Sequence, residues 1–70
     1  MNKKMANIAR AILIKKGFRE MRTEWGLEYW SDGDRVVAIA ENKGFVVNMN
    51  LNMSKIRFLA TNFEQQMNAI

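Results

Sequence analysis

Cysteine, histidine and proline are all missing from this 70-residue chain. Without cysteine there is neither a disulfide nor a thiolate nucleophile, and without histidine the usual general base near neutral pH is gone. The two absences remove Ser-His-Asp and Cys-His constellations and the soft ligand sets that hold zinc or iron. No apolar run approaches the roughly 18 residues a membrane helix needs, so no contact with a membrane is expected. The lack of cysteine fits a reducing compartment, and the cytoplasm is the expected location. No glycine-rich phosphate loop occurs, and "DGD" (Asp32, Gly33, Asp34) lacks the further oxygen ligands and closing Glu of a calcium loop. Glu20, Glu24 and Glu28 recur at intervals of four, too far apart on a strand for a catalytic pair. The chain is therefore expected to have no enzymatic activity, no metal and no cofactor.

What remains is small and apolar. A single domain spanning residues 1–70 is expected, with a core that supplies about 3–5 kcal/mol of net stability. Hydrophobic residues make up 49% of the chain, which argues for a packed fold over disorder. With disulfides and metals excluded, stability must come from packing, self-association or a partner.

Residues 3–16 have helical period: Met5, Ala6, Ile8, Ala9, Ile12 and Leu13 share one side, and Lys3, Lys4, Asn7, Arg10 and Lys15 the other. Gly17 supplies the stop. Because Arg10 interrupts the apolar run and no small-residue cleavage site follows, this segment reads as an amphipathic helix and not as a secretion signal. Over residues 19–30 the period shortens, with Thr23, Trp25, Leu27 and Tyr29 alternating with Glu24, Gly26 and Glu28 as in a strand. "SDGD" is a turn, "RVVAIAE" a second strand, "ENKG" another turn and "FVVNMNL" a third strand. From Asn52 or Ser54 onward, Met53, Ile56, Ala60, Phe63, Met67 and Ile70 step by three and four, which predicts a closing helix. The expected fold is α+β and two-layered, in the order α-β-β-β-α: a three-stranded antiparallel meander with both helices packed on one face. Trp25, Leu27, Tyr29, Val37, Ile39, Phe45, Val47 and Met49 are expected to face the helices, leaving Val36, Ala38, Ala40 and Val46 on an uncovered face.

Two features suggest contact surfaces. Phe58 falls off the apolar stripe of the expected last helix, among the uncharged Ser54, Thr61, Asn62 and Gln65. It reads as the anchor of a protein interface, as a lone exposed ring, or as a ring buried by a bend of the chain terminus. Trp30 lies on the even-numbered side of the first strand, where it either joins the uncovered sheet face as a docking patch or folds over the rim. Phe58, Asn62, Gln65 and Trp30, with Ile14 from the first helix, are the candidate partner-binding residues; a homodimer is the simplest form of such contact. Charge offers a third lead. The net charge is +4, and Lys3, Lys4, Arg10, Lys15, Lys16, Arg19 and Arg22 stand against Glu20 alone in the first 22 residues. Lys3, Lys4, Arg10, Lys15, Arg19 and Arg22 fit phosphates of a nucleic acid, an acidic protein surface or plain solvation.

The stretch "ILIKKGFREMRTEWGLEYWSDGDRVV" resembles the double-stranded-RNA-binding-like fold of HicA-type small toxins. The likeness rests on Lys15 to Phe18 closing a first helix, on Arg22 and Gly26 in the next strand, and on the Asp32-Gly33 turn. It implies the topology but not ribonuclease activity, because Leu27, Glu28 and Tyr29 stand where that family places its catalytic histidine. The Gly-Pro-x-His loop and terminal Lys-Lys cluster of the double-stranded-RNA binders are also missing. In size and in its many Asn, Lys, Ile and Met residues the chain is similar to bacteriophage-encoded inhibitors of host defence or nucleic-acid enzymes. That similarity implies a viral binding protein acting by steric occlusion in a bacterial cytoplasm; a nucleic-acid-binding module using the first helix is the alternative.

Overall fold

A computed structural model describes residues 2–59 and 61–70. Its elements are α1 (Asn2–Lys15), β1 (Arg19–Glu24), β2 (Leu27–Ser31), β3 (Val36–Ala40), a 3-10 turn (Glu41–Lys43), β4 (Phe45–Asn48), β5 (Ser54–Arg57) and α2 (Phe63–Asn68). The strands form one antiparallel sheet in the order β1-β2-β3-β4-β5, a meander in which each strand pairs with the next in sequence. The α+β class, the antiparallel sheet and the two helices agree with the expectation. The strand count does not: there are five strands where three were expected.

α1 ends as its sequence dictates. Gly17 takes φ +92°, its N–H bonds the Ile14 carbonyl, and the Phe18 N–H reaches back to the Leu13 carbonyl. This is the Schellman arrangement, and its usual apolar contact is supplied by Phe18 and Leu13, both fully buried. The turn at Asp32 also matches its residues. Asp32 Oδ1 accepts from the N–H groups of Asp34 (3.0 Å) and Arg35 (2.7 Å) and holds the β2–β3 connection.

The first expected strand is in fact a hairpin. Trp25 and Gly26, at φ +57° and +75°, form a two-residue loop between the paired Glu24 and Leu27. Positive φ at both loop residues suits the right-handed twist of the strands, but the first position normally holds Asn, Asp or Gly. Trp25 occupies it with 90% of its surface exposed, so it does not face the helices.

The closing helix is the larger correction. Ser54–Arg57 is a strand on β4, with Val46 opposite Ile56 and Phe45 opposite Arg57, and the Phe58 N–H donates to the Gly44 carbonyl at 2.8 Å. α2 begins only at Phe63. The segment also fits the period of a strand: Ile56 and Phe58 turn inward while Lys55 and Arg57 turn out. Met53, which the expected helix would have buried, is exposed, as is Leu59. Ala60, another residue of the expected stripe, lies outside the described residues. Phe58 is 8% exposed and meets Phe63 edge to face, with centroids 5.3 Å apart at 88°. Of its three readings, burial is the one observed, although the chain reaches it through a strand and not through a bent helix end.

The core lies between α1, α2 and one face of the sheet. Ala6, Ala9 and Leu13 meet Phe63, Met67 and Ile70 over Trp30, Val37, Ile39, Val46 and Phe58. Only Val37 and Ile39 of the expected inward set are there. Leu27, Tyr29, Phe45 and Val47 lie on the opposite face, and Met49 falls beyond β4. The cause is pairing parity. Trp30 opposes Val37 and Val37 opposes Asn48, so an odd residue in β3 shares its face with even residues in β2 and β4.

Phe58→Ala should therefore cost about 3–5 kcal/mol of stability, close to all that a domain of this size holds, and Phe58→Leu much less. Urea unfolding measures this; a cost for the alanine variant below about 1 kcal/mol would place Phe58 outside the core. Trp25→Asn should stabilise by about 1 kcal/mol, because asparagine tolerates the left-handed turn position better; a lower urea midpoint would contradict the turn assignment.

Candidate nucleic-acid interface

The residues marked out by the sequence do not come together. Phe58 and Trp30 are buried. Trp30 faces the helices, with its indole N–H donating to Glu28 Oε1 at 2.7 Å, so it forms no patch on the uncovered face. Asn62 takes φ +65° at the start of α2, and it and Gln65 are exposed without Phe58 beside them on a helix face. Ile14 is exposed, at 52%. Lys3, Lys4 and Lys15 are exposed along α1.

Arg10 leaves the basic group for a different role. Its guanidinium bonds Glu28 at 2.8 and 3.1 Å and Glu41 at 3.1 Å, tying α1 to β2 and to the 3-10 turn. Burial pushes the Glu28 carboxyl up, but the hydrogen bonds from Arg10 and Trp30 and the charge of Arg10 prevail and hold it below the ordinary glutamate range. The hydrogen bond to Glu28, reinforced by the charges of Glu28 and Glu41, raises Arg10 against the opposing effect of burial. A cation so engaged in the helix–sheet seam is not free to track phosphates.

Arg19 and Arg22 belong to the sheet. Arg22 opposes Tyr29, Tyr29 opposes Ala38, Ala38 opposes Val47 and Val47 opposes Lys55. Opposed residues share a face, so this row crosses all five strands on the side away from the helices. Arg19, Ser31 and Val36 flank it at one end. At the other, Ala40, Phe45 and Arg57 form a second row. Among the described residues no helix covers this face. Its floor is small and apolar: Ala38 and Ala40 at 1% exposure and Val47 at 6% lie apart from the main core cluster.

Two half-buried rings, Tyr29 and Phe45, stand on that floor. Their backbone positions lie two strand spacings across and two residues along from one another, on the order of 12 Å in an ideal sheet. A cation covers each ring. The Arg22 guanidinium sits 4.8 Å from the Tyr29 centroid; Lys55 Nζ and the Arg57 guanidinium sit 5.1 and 5.6 Å from that of Phe45. Across the face Arg19, Arg22, Lys55 and Arg57 outweigh Glu24, which pairs with Arg22 at 3.0 Å. The site is hidden in the sequence because simple alternation places Tyr29 and Phe45 on the inner face, and the helical period after Asn52 places Lys55 and Arg57 on a helix.

Other features offer less chemistry. A cavity of about 240 Å³ on the helix side is lined by Asn48, Leu51, Ser54, Ile56, Gln66, Ala69 and Ile70, with no charged side chain. Among the described residues no group of acidic side chains is placed to hold a metal ion, and no helix is long and apolar enough to cross a membrane.

Because the Glu28 carboxyl is held below its ordinary value of about 4.3, its contribution to stability is complete above that value and is lost as pH falls through the lower, folded-state pKa. Glu28→Gln should lower the urea midpoint at neutral pH and flatten the fall in stability between about pH 5 and pH 3; an unchanged acid limb would show that the Arg10 seam does not hold the sheet.

No protein-family model, no curated protein and no solved structure matches this chain.

Proposed function

We propose that this chain is a non-catalytic binding protein whose open sheet face takes single-stranded nucleic acid. The observation that carries the reading is the pair of cation-covered rings, Tyr29 and Phe45, on the sheet face away from the described helices. Single strands bind to surfaces that combine aromatic platforms for the bases with cations for the backbone. The rings stand on β2 and β4, so each can take its own base; Ala38 and Ala40 between them are buried, so the strand lies over the rings and cations and not on the floor. In the free protein Arg22, Lys55 and Arg57 rest on the ring faces. A stacking base replaces them there, and each freed cation turns to a phosphate. No histidine or cysteine is at hand to act on the strand, so the role is to cover or hold it.

This keeps the nucleic-acid alternative raised by the sequence but moves its footprint from α1 to the sheet, with Arg19 and Arg22 shared between the two. A phage-type inhibitor docking on an acidic protein would draw on the same cations. It loses the two aromatic anchors proposed for it, because Phe58 and Trp30 are buried and only Ile14 of the apolar candidates stays exposed, and the flat aromatic faces favour bases over carboxylates.

Fluorescence anisotropy of a labelled single-stranded oligonucleotide tests the reading. The wild-type chain should bind with an affinity that falls as salt rises. Tyr29→Ala and Phe45→Ala should each cost about 1–3 kcal/mol, Lys55→Ala and Arg57→Ala should lessen the salt dependence, and Lys3→Ala with Lys4→Ala should change little. No binding at low salt, or binding indifferent to both rings, would overturn the proposal; nuclease-resistant capture of an acidic protein, lost on Lys55→Glu, would replace it with the inhibitor reading.

A further inference from the structure

The sheet ends in two edge strands, β1 and β5, that differ in charge pattern. β5 (Ser-Lys-Ile-Arg) presents Lys55 and Arg57, so a second copy brought against it would meet like charge. β1 (Arg-Glu-Met-Arg-Thr-Glu) is exposed at all six positions and runs from a cation at Arg19 to an anion at Glu24. From this we propose that β1 pairs antiparallel with the β1 of a second copy, about a two-fold axis between Met21 and Arg22.

In that register Arg19 of each chain opposes Glu24 of the other, Glu20 opposes Thr23, and Met21 opposes Arg22. The faces agree because of the bulge in β1. In an unbroken strand residues 19 and 24 would point to opposite faces. The register shift between Glu20 and Arg22 puts Arg19, Arg22 and Glu24 together on the open face, and Glu20 and Thr23 on the helix side. The Thr23 hydroxyl, 3.4 Å from Glu20 Oε2, confirms that those two are neighbours. A charged edge ordinarily repels its own copy; on the open face this one carries opposite signs at its two ends, Arg19 and Glu24, so the antiparallel copy is attracted at both, against the like charge of the two Arg22 side chains beside the axis. Met21, 53% exposed in the single chain, would be covered at the axis. Glu24 is free to change partner, since its present bond to Arg22 joins two side chains more than half exposed. The resulting continuous sheet sets the two open faces side by side, with Arg19, Arg22 and Tyr29 of both copies along the seam. The pairing rests on β1 alone and stands or falls independently of nucleic-acid binding.

Sedimentation equilibrium on the full chain tests it, with circular dichroism melts confirming that each variant folds. The wild-type chain should show a concentration-dependent monomer–dimer equilibrium. Arg19→Glu and Glu24→Arg should each weaken the dimer about tenfold, the doubly reversed chain should recover it, and an equimolar mixture of the two single variants should form a mixed dimer, because each supplies the sign the other lacks. A wild-type chain that stays monomeric at every concentration, single variants that dimerise as well as wild type, or a mixture that stays monomeric would overturn the proposal.

Discussion

The second half of this protein is built around the burial of Phe58, which meets Phe63 edge to face. A small chain without disulfides or metal has few large side chains to spare, and leaving Phe58 in water would forgo roughly 1.5–3 kcal/mol. The residues before it alternate, inward at Ile56 and Phe58, outward at Lys55 and Arg57. Alternation makes β5 a strand, and pairing with β4 carries the Phe58 N–H to the Gly44 carbonyl. The same step places Lys55 and Arg57 over the Phe45 ring. Core and candidate site are thus two faces of one constraint: the residues that turn away from Phe63 become the cations of the open sheet.

The opposite side of the sheet accounts for where the charge goes. Arg10 gathers Glu28 and Glu41 into the seam between α1 and the sheet, and Trp30 donates to the same carboxylate. Two of the seven acidic side chains are thereby engaged on the helix side. A modest net charge becomes, on the uncovered face, a local excess of cations around two rings. Concentration of charge on one surface, more than its total, is what attracts a polyanion.

Local signals in the sequence carried the parts of the fold that local chemistry controls. The end of α1 at Gly17 and the turn at Asp32 were legible because a glycine in the left-handed region and an aspartate accepting backbone N–H groups act within a few residues. The Trp25-Gly26 hairpin was hidden, since tryptophan is not a turn residue and the alternation of Thr23, Trp25, Leu27 and Tyr29 runs straight through it. β5 was hidden for a different reason: Met53, Ile56, Phe63, Met67 and Ile70 fit a helix, Ile56 and Phe58 fit a strand, and only the tertiary contact with Phe63 decides between them. The rings of the open face were assigned inward because facing depends on register, and register depends on connections whose geometry a single sequence does not show.

Backbone amide chemical shifts, followed by nuclear magnetic resonance as a single-stranded oligonucleotide is added, test the central claim most directly. The account predicts that shifts concentrate at Arg22, Tyr29, Ala38, Phe45, Val47, Lys55 and Arg57 while Lys3, Lys4 and Lys15 on α1 stay still. Shifts confined to α1, or a spectrum that does not change, would contradict it.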